Sequence, residues 1–441
     1  MLIVAKSMSK LVVSTRLTES IIVLKNKISE LISTFKTVRA YSLELYEHLD
    51  VEDVNLQAAE FVSPPKWHLA HTTWFFETFI LKEFLQAYQA LDSHYELLFN
   101  SYYNSVGDQF SRPHRGLLTR PLSKDVLSYR RHVDSCILEL VSNNSNPEII
   151  KRMQLGLNHE QQHQELLLTD IKYSFSRNPT LPAFSQENVE AVRNAPQLEW
   201  LEFSGGLAEV GINNGDEPFF FDNESPSHTV FLPPFQMANR LVTNGEFMEF
   251  VLDGGYKRPE FWLSDGWQVI QKNGWDSPLY WREKQGIQQE FTLYGTRPWD
   301  PNSPVTHLSL FEADAFASWS GARLPTEFEW EFAVKNSEIT AEAPQSFHPQ
   351  YPTERDTAST LYQPFGTCWQ WTSSAYRPYP GFRVEKGAIG EYNGKFMCNQ
   401  WVLRGSSCVT STGHARTSYR NFFYPQDRWQ FTGLRLAKDL I

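Results

Sequence analysis

The chain has 441 residues, of which 41% are hydrophobic and 21% charged, a composition typical of a soluble globular protein with two or three domains. Its formal net charge of −11 argues against a surface that binds nucleic acid or an anionic membrane. No apolar run approaches the roughly 18 residues that span a bilayer, the N-terminal segment does not resemble a signal peptide, and the four cysteines form no CxxC pair. Cytoplasm is therefore the expected compartment.

Residues 17–180 are predicted to form a helical domain. Four stretches place apolar residues three or four positions apart, as the buried face of a helix requires. Prolines mark the starts of the second and fourth stretches. Four such helices predict a bundle whose core can hold a metal ion between facing helices. The stretches are residues 18–46, 66–85, 126–144 and 147–175.

The rest of the chain has a different pattern. A non-periodic connection at 97–121 separates the second and third helices, and a connection this long inside a compact domain is usually functional. The polar, proline-punctuated segment 176–196 is the predicted linker. Residues 197–441 are predicted to be a loop-rich α+β domain with limited regular structure, in which helices are expected within 244–254 and 309–321.

The segment NHEQQHQEL places His159 and His163 four positions apart, on one face of a helix. It matches H-E-x-x-H, in which two histidines bind zinc and a glutamate activates water. A zinc hydrolase is therefore one interpretation, with Glu165 or Glu187 as a third ligand, although the longer pattern with a further Gly and His is not present. A solvated surface pair of histidines is the alternative without a metal.

The second predicted helix carries His68 and His71, next to the aromatic run Trp74-Phe75-Phe76. The H-x-x-H spacing on a helix offers one or two further metal ligands. A lone helical histidine is more often structural, but two candidates beside an aromatic run favour a metal site. Imidazole suits iron as well as zinc, so the spacing does not choose the metal.

These segments together resemble a known family. KWHLAHTTWFFE and NHEQQHQELLLTD resemble the DinB-like iron-binding bundle. The second half resembles the formylglycine-generating-enzyme/sulfatase-modifying-factor domain, which is related to C-type-lectin folds, in FSGGLAEVGINNG, PVTHLSLFEADAFASWSGARLPTEFEWEFA, GTCWQWTSSAYRPYPGF and RNFFYPQDRWQFTGLRLAK. The combination resembles the ergothioneine-biosynthetic sulfoxide synthases, non-haem iron enzymes that join a thiol to the imidazole of hercynine (Nα-trimethylhistidine).

The resemblance extends over nearly the whole chain after residue 20. It implies an α+β multidomain fold, with a DinB-like four-helix bundle at 17–180 and a C-type-lectin-like domain at 197–441. It also implies an Fe(II) site, with O2 as co-substrate, whose ligands are His71, His159 and His163, and it leaves His68 and Glu160 outside the ligand set. Gln162 resembles the glutamine that contacts bound hercynine.

Two groups on the 97–121 connection suit this chemistry. Tyr102 and Tyr103 are the candidate proton donors, because a phenol is neutral at pH 7 and still carries the proton that it can donate. A branch of the resembled family also carries its active-site tyrosine on this loop. An amphipathic pair that caps the bundle is the structural alternative. Arg112 and Arg115, favoured over Arg120, are the candidate receptors for the cysteine carboxylate, since guanidinium donors pair with carboxylates in a forked geometry.

The segment RNFFYPQDRW bears on the choice of thiol. The branch that uses γ-glutamylcysteine is expected to have Asn-Trp-Asp here, whereas this chain has Asn421-Phe422-Phe423. The acid is replaced by an aromatic residue, so free cysteine is the predicted thiol. Asn421 is a candidate contact for the hercynine carboxylate, and Phe422 and Phe423 are candidates to face its trimethylammonium group, with core packing as the alternative.

The predicted function is therefore the formation of a C–S bond between cysteine sulfur and the imidazole C2 of hercynine, in ergothioneine biosynthesis. Synthesis of selenoneine, or of another histidine-derived thiol, would use the same metal site with a different donor. A zinc hydrolase is the alternative from another enzyme class. A lectin-like binding protein that uses the bundle only as a scaffold is the alternative without catalysis.

Overall fold

The structure is a computed structural model that describes residues 2–186, 195–339, 346–349 and 360–440, with side chains described from residue 25 onward. The chain divides into two compact units. The first comprises 1–55, 65–101 and 107–163, and the second comprises 56–64, 102–106 and 164–441. Among the described residues, no helix has the length and apolar character that crossing a membrane requires.

The first unit is helical. A π-helical turn, Glu77–Leu81, joins the second helix to the third, and short 3-10 helices cover Asp53–Asn55 and Arg112–Leu117. The α-helices are α1 (Leu2–Glu47), α2 (Pro65–Phe76), α3 (Lys82–Phe84), α4 (Tyr95–Phe99), α5 (Ser123–Asn143) and α6 (Pro147–Ser176), of which residues after His163 belong to the second unit. The four predicted helices correspond to α1, α2, α5 and α6. The DinB-like relationship of this bundle stays a prediction.

Helix α2 lies at the centre of the first unit, because every one of its residues is buried. It begins at Pro65, whose missing N–H costs nothing in the first turn. It packs against α1 and α5. Gly156 brings α6 close to the end of α2: a Cβ there would lie 2.7 Å from Phe76 and 3.3 Å from Phe75.

The second unit contains small sheets. The strand orders are β12-β11-β10-β13, β1-β4-β14, β5-β6-β7, β2-β3 and β8-β9. The strands are β1 (Trp200–Phe203), β2 (Gly206–Val210), β3 (His228–Leu232), β4 (Phe235–Ala238), β5 (Trp281–Lys284), β6 (Ile287–Thr292), β7 (Gly295–Pro298), β8 (Glu338–Ile339), β9 (Thr360–Leu361), β10 (Cys368–Ala375), β11 (Trp401–Ser406), β12 (Asn421–Phe423), β13 (Thr432–Gly433) and β14 (Ala437–Asp439).

The helices of the second unit include two that the sequence analysis did not predict. They are α7 (Asn244–Leu252), α8 (Ser264–Asn273), α9 (Leu310–Trp319) and α10 (Glu327–Lys335), of which α7 and α9 were expected. Each of α7, α9 and α10 begins with a capping box, in which a Ser or Thr side chain accepts from the amide of a Glu three residues on. For α10 this pair is Thr326 and Glu329, so the sequence did contain a signal for that helix.

Helix α10 anchors the core of the second unit. Trp330 is fully buried, in a cluster with Phe235, Met237 and Leu361. On the same helix, Glu327 accepts two hydrogen bonds from the buried Arg420 guanidinium, at 2.8 and 2.9 Å. Buried charges are tolerated when they are paired in this way, so Arg420 has a structural role.

Candidate active site

Three histidines converge in the first unit. His71 lies on α2, and His159 and His163 lie one turn apart on α6. One ring nitrogen from each lies within 4.8 Å of the others, and the Nε2 atoms of His71 and His159 are 3.2 Å apart. His71 and His159 are buried and His163 is partly buried. This arrangement allows one ion to bind all three imidazoles.

The Nδ1 atoms of two of these rings have partners that orient the rings. The Nδ1 of His71 lies 2.6 Å from the carbonyl oxygen of Phe99, which fixes Nδ1 as the protonated nitrogen and leaves the Nε2 lone pair for a ligand. The Nδ1 of His163 lies 2.8 Å from the Nδ1 of His68. His68, which the sequence analysis left outside the ligand set, thus contacts a candidate ligand.

The environment keeps the three imidazoles neutral. Burial lowers the pKa of His159 to about 3. Burial and the neighbouring imidazole of His159 lower the pKa of His71 and of His163 well below the usual value. A neutral ring keeps the lone pair that a metal needs, so the cluster fits a divalent ion such as Fe(II).

Two indoles are stacked on the ring of His71, and a guanidinium group lies over one of them. The indole of Trp67 lies parallel to it at 4.6 Å, and the indole of Trp74 is stacked with it at 5.6 Å. The Arg115 guanidinium lies 3.4 Å from the centroid of Trp67, in a cation–π contact. Arg115 is buried, whereas Arg112 and Arg120 are exposed. Of the three arginines, Arg115 is therefore held beside the histidine cluster.

Glu160, which a zinc peptidase would use to activate water, has other partners. Its carboxylate accepts hydrogen bonds from Arg39 at 2.8 Å, from Ser42 at 2.6 Å and from Arg130. Burial opposes its ionisation, but Arg130 and Arg39 lower the pKa of Glu160 to about 2. This carboxylate is occupied by two buried cations, an arrangement that opposes the zinc hydrolase interpretation.

Of the two other glutamates considered for zinc, the structure describes only Glu165. Glu165 is buried in the second unit, where its carboxylate accepts from Trp369 at 2.8 Å, from Ser407 at 2.5 Å and from Thr410 at 2.7 Å. Glu187 lies outside the described residues. Gln162 is partly buried and lies three residues after His159 on α6, a spacing that makes the two residues neighbours on the helix surface.

The structure brings Tyr102 and Tyr103 together in the second unit. Their rings are stacked at 4.6 Å and their hydroxyl oxygens lie 3.5 Å apart. Tyr103 is fully buried and Tyr102 partly buried. Burial raises the pKa of both phenols above the usual value, so both hydroxyls keep their protons at neutral pH and can donate them.

Strand β12 presents its three candidate residues on two faces. Side chains alternate along a strand, so Asn421 and Phe423 share one face and Phe422 points to the other. Phe422 is stacked on Tyr376 at 4.1 Å, and Phe423 lies 5.9 Å from Trp429. The structure therefore does not bring Phe422 and Phe423 onto a common face.

Phe396 connects two of the candidate groups within the second unit. Its ring lies edge-on to Tyr102 at 5.0 Å and is stacked with Phe422 at 6.0 Å. Sequence reasoning did not identify Phe396, and it also missed Trp67 as the stacking partner of His71. For Trp67 the position between Pro65 and His68 was a usable signal, whereas nothing in the sequence near Phe396 indicated its partners.

Comparison with known proteins gives consistent results. Residues 185–440 match the family described as the sulfatase-modifying factor enzyme 1-like domain, which confirms the predicted domain type in the C-terminal part. The hercynine oxygenase of Mycobacterium tuberculosis is 34% identical over 307 residues, which are 64% of this chain and 70% of that protein. The hercynine oxygenase of Mycolicibacterium smegmatis is 30% identical over 430 residues, which are 91% and 97% of the two chains. Ergothioneine biosynthesis protein 1 of Schizosaccharomyces pombe is 28% identical over 243 residues, which are 51% of this chain and 29% of that protein.

Proposed function

The chain belongs to the hercynine oxygenase family, and from that premise we propose that it is an Fe(II)- and O2-dependent sulfoxide synthase. It joins the sulfur of cysteine to the imidazole C2 of hercynine, in ergothioneine biosynthesis. The observation that carries the proposal is the convergence of one nitrogen from each of His71, His159 and His163 within 4.8 Å.

The donor set suits iron. Three neutral imidazoles, His71 through Nε2 together with His159 and His163, would hold the ion. Bound Fe(II) would supply the reduction of O2 and would deprotonate a thiol that binds to it. The Phe99 carbonyl and His68 keep two of the rings in orientation.

The other candidate residues bind substrates or move a proton. Arg115 is the proposed receptor for the cysteine carboxylate, supported by its burial and by a charge that acts on His71 and His163. Gln162 and Asn421 are proposed contacts of hercynine. The aromatic rings of Phe422 and Phe423 are the proposed partners of its trimethylammonium group, with one of them sufficient, since they lie on opposite faces of β12.

Cysteine is the proposed thiol, because an aromatic residue takes the position where the γ-glutamylcysteine branch is expected to have an acid. The proposal predicts that kcat/KM for cysteine exceeds that for γ-glutamylcysteine. Steady-state kinetics with the two thiols at saturating hercynine measure it. A preference for γ-glutamylcysteine would overturn the choice of thiol and leave the metal site unaffected.

The central test is an anaerobic reconstitution with Fe(II), followed by O2 uptake with hercynine and cysteine. We expect uptake that depends on both substrates and a product that carries sulfur on the imidazole C2, detected by mass spectrometry. His71→Ala should lose bound iron, whereas His94→Ala, at an exposed histidine of the same unit, should retain it. Peptide cleavage without O2 by the zinc-loaded protein would contradict the proposal.

A further inference from the structure

The turn that carries the two tyrosines is held by one carboxylate. Glu391 accepts a hydrogen bond from the amide of Asn104 at 3.0 Å and another from the amide of Ser105 at 2.8 Å. Partial burial works against its ionisation, but hydrogen bonds from Lys395 and from the amides of Ser105 and Asn104 lower the pKa of Glu391 to about 2. The carboxylate is therefore charged at neutral pH and binds consecutive amides directly after Tyr103.

Lys395 connects this carboxylate to Tyr102. Its Nζ lies 2.7 Å from the Glu391 carboxylate, donates to the carbonyl oxygen of Tyr102 and lies 5.0 Å from the centre of the Tyr102 ring. Glu391 is the last residue of one short 3-10 helix, Ala388–Glu391, and Lys395 lies in the next, Gly394–Phe396. One ammonium group thus contacts the carboxylate, the backbone and the ring that it orients.

The second aromatic contact of Tyr102 comes from the same segment. Phe396, the residue that follows Lys395, lies edge-on to the Tyr102 ring, with the ring centroids 5.0 Å apart. Tyr103 is held in a different way: its side chain is fully buried, and its ring is stacked on the ring of Tyr102. The position of the paired hydroxyls, 3.5 Å apart, therefore depends on how Tyr102 is held.

We propose that Glu391, Lys395 and Phe396, the tyrosine clamp, are positioning residues that set the orientation of the Tyr102 hydroxyl and thereby decide which product forms from the thiol. This inference rests on the proposed function. Two outcomes each consume one O2: thiol and imidazole C–H give the sulfoxide and one water, whereas the thiol alone gives a sulfinic acid. The phenol proton serves the first outcome, and misdirecting the phenol favours the second.

The clamp is suited to positioning rather than to stability. The Lys395 and Glu391 side chains are 29% and 17% exposed, and ion pairs in contact with solvent contribute little to folding stability. Removing the ammonium should leave a folded protein whose Tyr102 ring has lost its fixed geometry. A displacement of about 1 Å in a reacting group can reduce a rate by up to ~100-fold.

The test compares Lys395→Met, which keeps the length of the side chain, with Lys395→Arg and with Lys386→Met, at an exposed lysine of the same unit. We expect the ratio of sulfoxide to cysteine sulfinate to fall about tenfold in Lys395→Met, with KM for cysteine unchanged. Arginine should restore most of the ratio, because it keeps the charge, and Lys386→Met should match the wild type. An unchanged ratio in Lys395→Met would overturn the proposal.

A double-mutant cycle shows whether the clamp acts through Tyr102. In a Tyr102→Phe background, Lys395→Met should change the ratio no further, and an additive change would overturn the assignment. Hydrogen exchange at 102–106 should accelerate in Lys395→Met and in Glu391→Gln, and this readout needs no turnover. If the wild type makes no C–S product, the proposed function is wrong. If hydrogen exchange at 102–106 is unaltered in both variants, the positioning role of the tyrosine clamp is wrong, whatever the product.

Discussion

The histidine cluster and the tyrosine pair are built in different ways. The histidines lie on the helices α2 and α6, with ring nitrogens that are held by buried partners such as the Phe99 carbonyl. The tyrosines lie on a short turn whose amides and carbonyl are held by Glu391 and Lys395, both of which contact solvent. Long helices fix geometry within a fraction of an ångström, whereas surface segments tolerate adjustment.

This difference teaches where each property of the protein is controlled. A metal site needs ligands that are already in position, because ordering them on binding would cost affinity. A group that selects between products needs only a small change of orientation. We therefore expect substitutions around the histidines to change stability and metal affinity, and substitutions around the tyrosines to change the product with little loss of stability.

The largest expected effect is at Glu160. Glu160→Ala removes the carboxylate that pairs with two buried arginines. It leaves Arg130 without this partner and Arg39 with Asp134 alone, so the free energy of unfolding should fall by about 3–5 kcal/mol. Glu148→Ala, at a partly exposed ion pair on the same helix, should cost at most about 1 kcal/mol. Urea denaturation measures both. Equal losses in the two variants would show that the Glu160 pairs do not organise the first unit.

The next effect is on metal affinity. His68→Ala removes the partner of His163 Nδ1 but no ligand, and loss of such a partner typically weakens metal binding by about 10–100-fold. His68→Asn, whose amide can take the position of Nδ1, should retain most of the affinity. Anaerobic titration with Fe(II) or Co(II) measures it. Wild-type affinity in His68→Ala would mean that α6 alone orients His163.

A smaller effect is expected at Phe422, in the second unit. Phe422→Leu removes the stack on Tyr376, and such aromatic pairs contribute about 0.5–1.5 kcal/mol beyond the area they bury. The free energy of unfolding should fall by about 1 kcal/mol, and KM for hercynine should rise. Thermal unfolding and steady-state kinetics separate the two effects. An unchanged KM would identify Phe422 as a packing residue and leave Phe423 as the candidate for the ammonium group.

The smallest expected effect is the response of the product ratio to pH. Burial raises the pKa of Tyr102 and Tyr103 above the usual value near 10, so each phenol keeps its proton as the pH rises from 7 to 9.5. The ratio of sulfoxide to sulfinate should stay constant over this range, measured by product analysis at saturating substrates. A fall of the ratio towards pH 9.5 would show that a group with a lower pKa supplies the proton.

Sequence patterns predicted the histidine cluster better than its surroundings. The spacing of His159 and His163 defines one helix face locally, and Pro65 and Pro147 mark the starts of the helices that carry the histidines. The third candidate, His71, came from a family resemblance. The partners of Glu160 could not be predicted, because Arg39 and Arg130 lie on other helices, 121 and 30 residues away.

The second unit shows where local patterns are weak. Its strands are short and irregular, so a period of two is not visible over enough residues. The difference between Arg112 and Arg115 arises only when 112–117 form a 3-10 helix that buries one side chain and exposes the other. The contacts of Tyr102 with Lys395 and Phe396 join residues about 290 positions apart, and no spacing rule predicts them.

Gly156 determines how closely α6 approaches the end of α2, and these two helices carry the three converging histidines. The hydrogen of this residue faces Phe75 and Phe76 where any Cβ would come within 2.7 Å of a ring carbon. A larger residue would force the Phe76 ring or α6 itself to move, and His159 lies less than one turn further along α6. The spacing between His71 on α2 and its two partners on α6 is therefore sensitive to a residue that has no side chain.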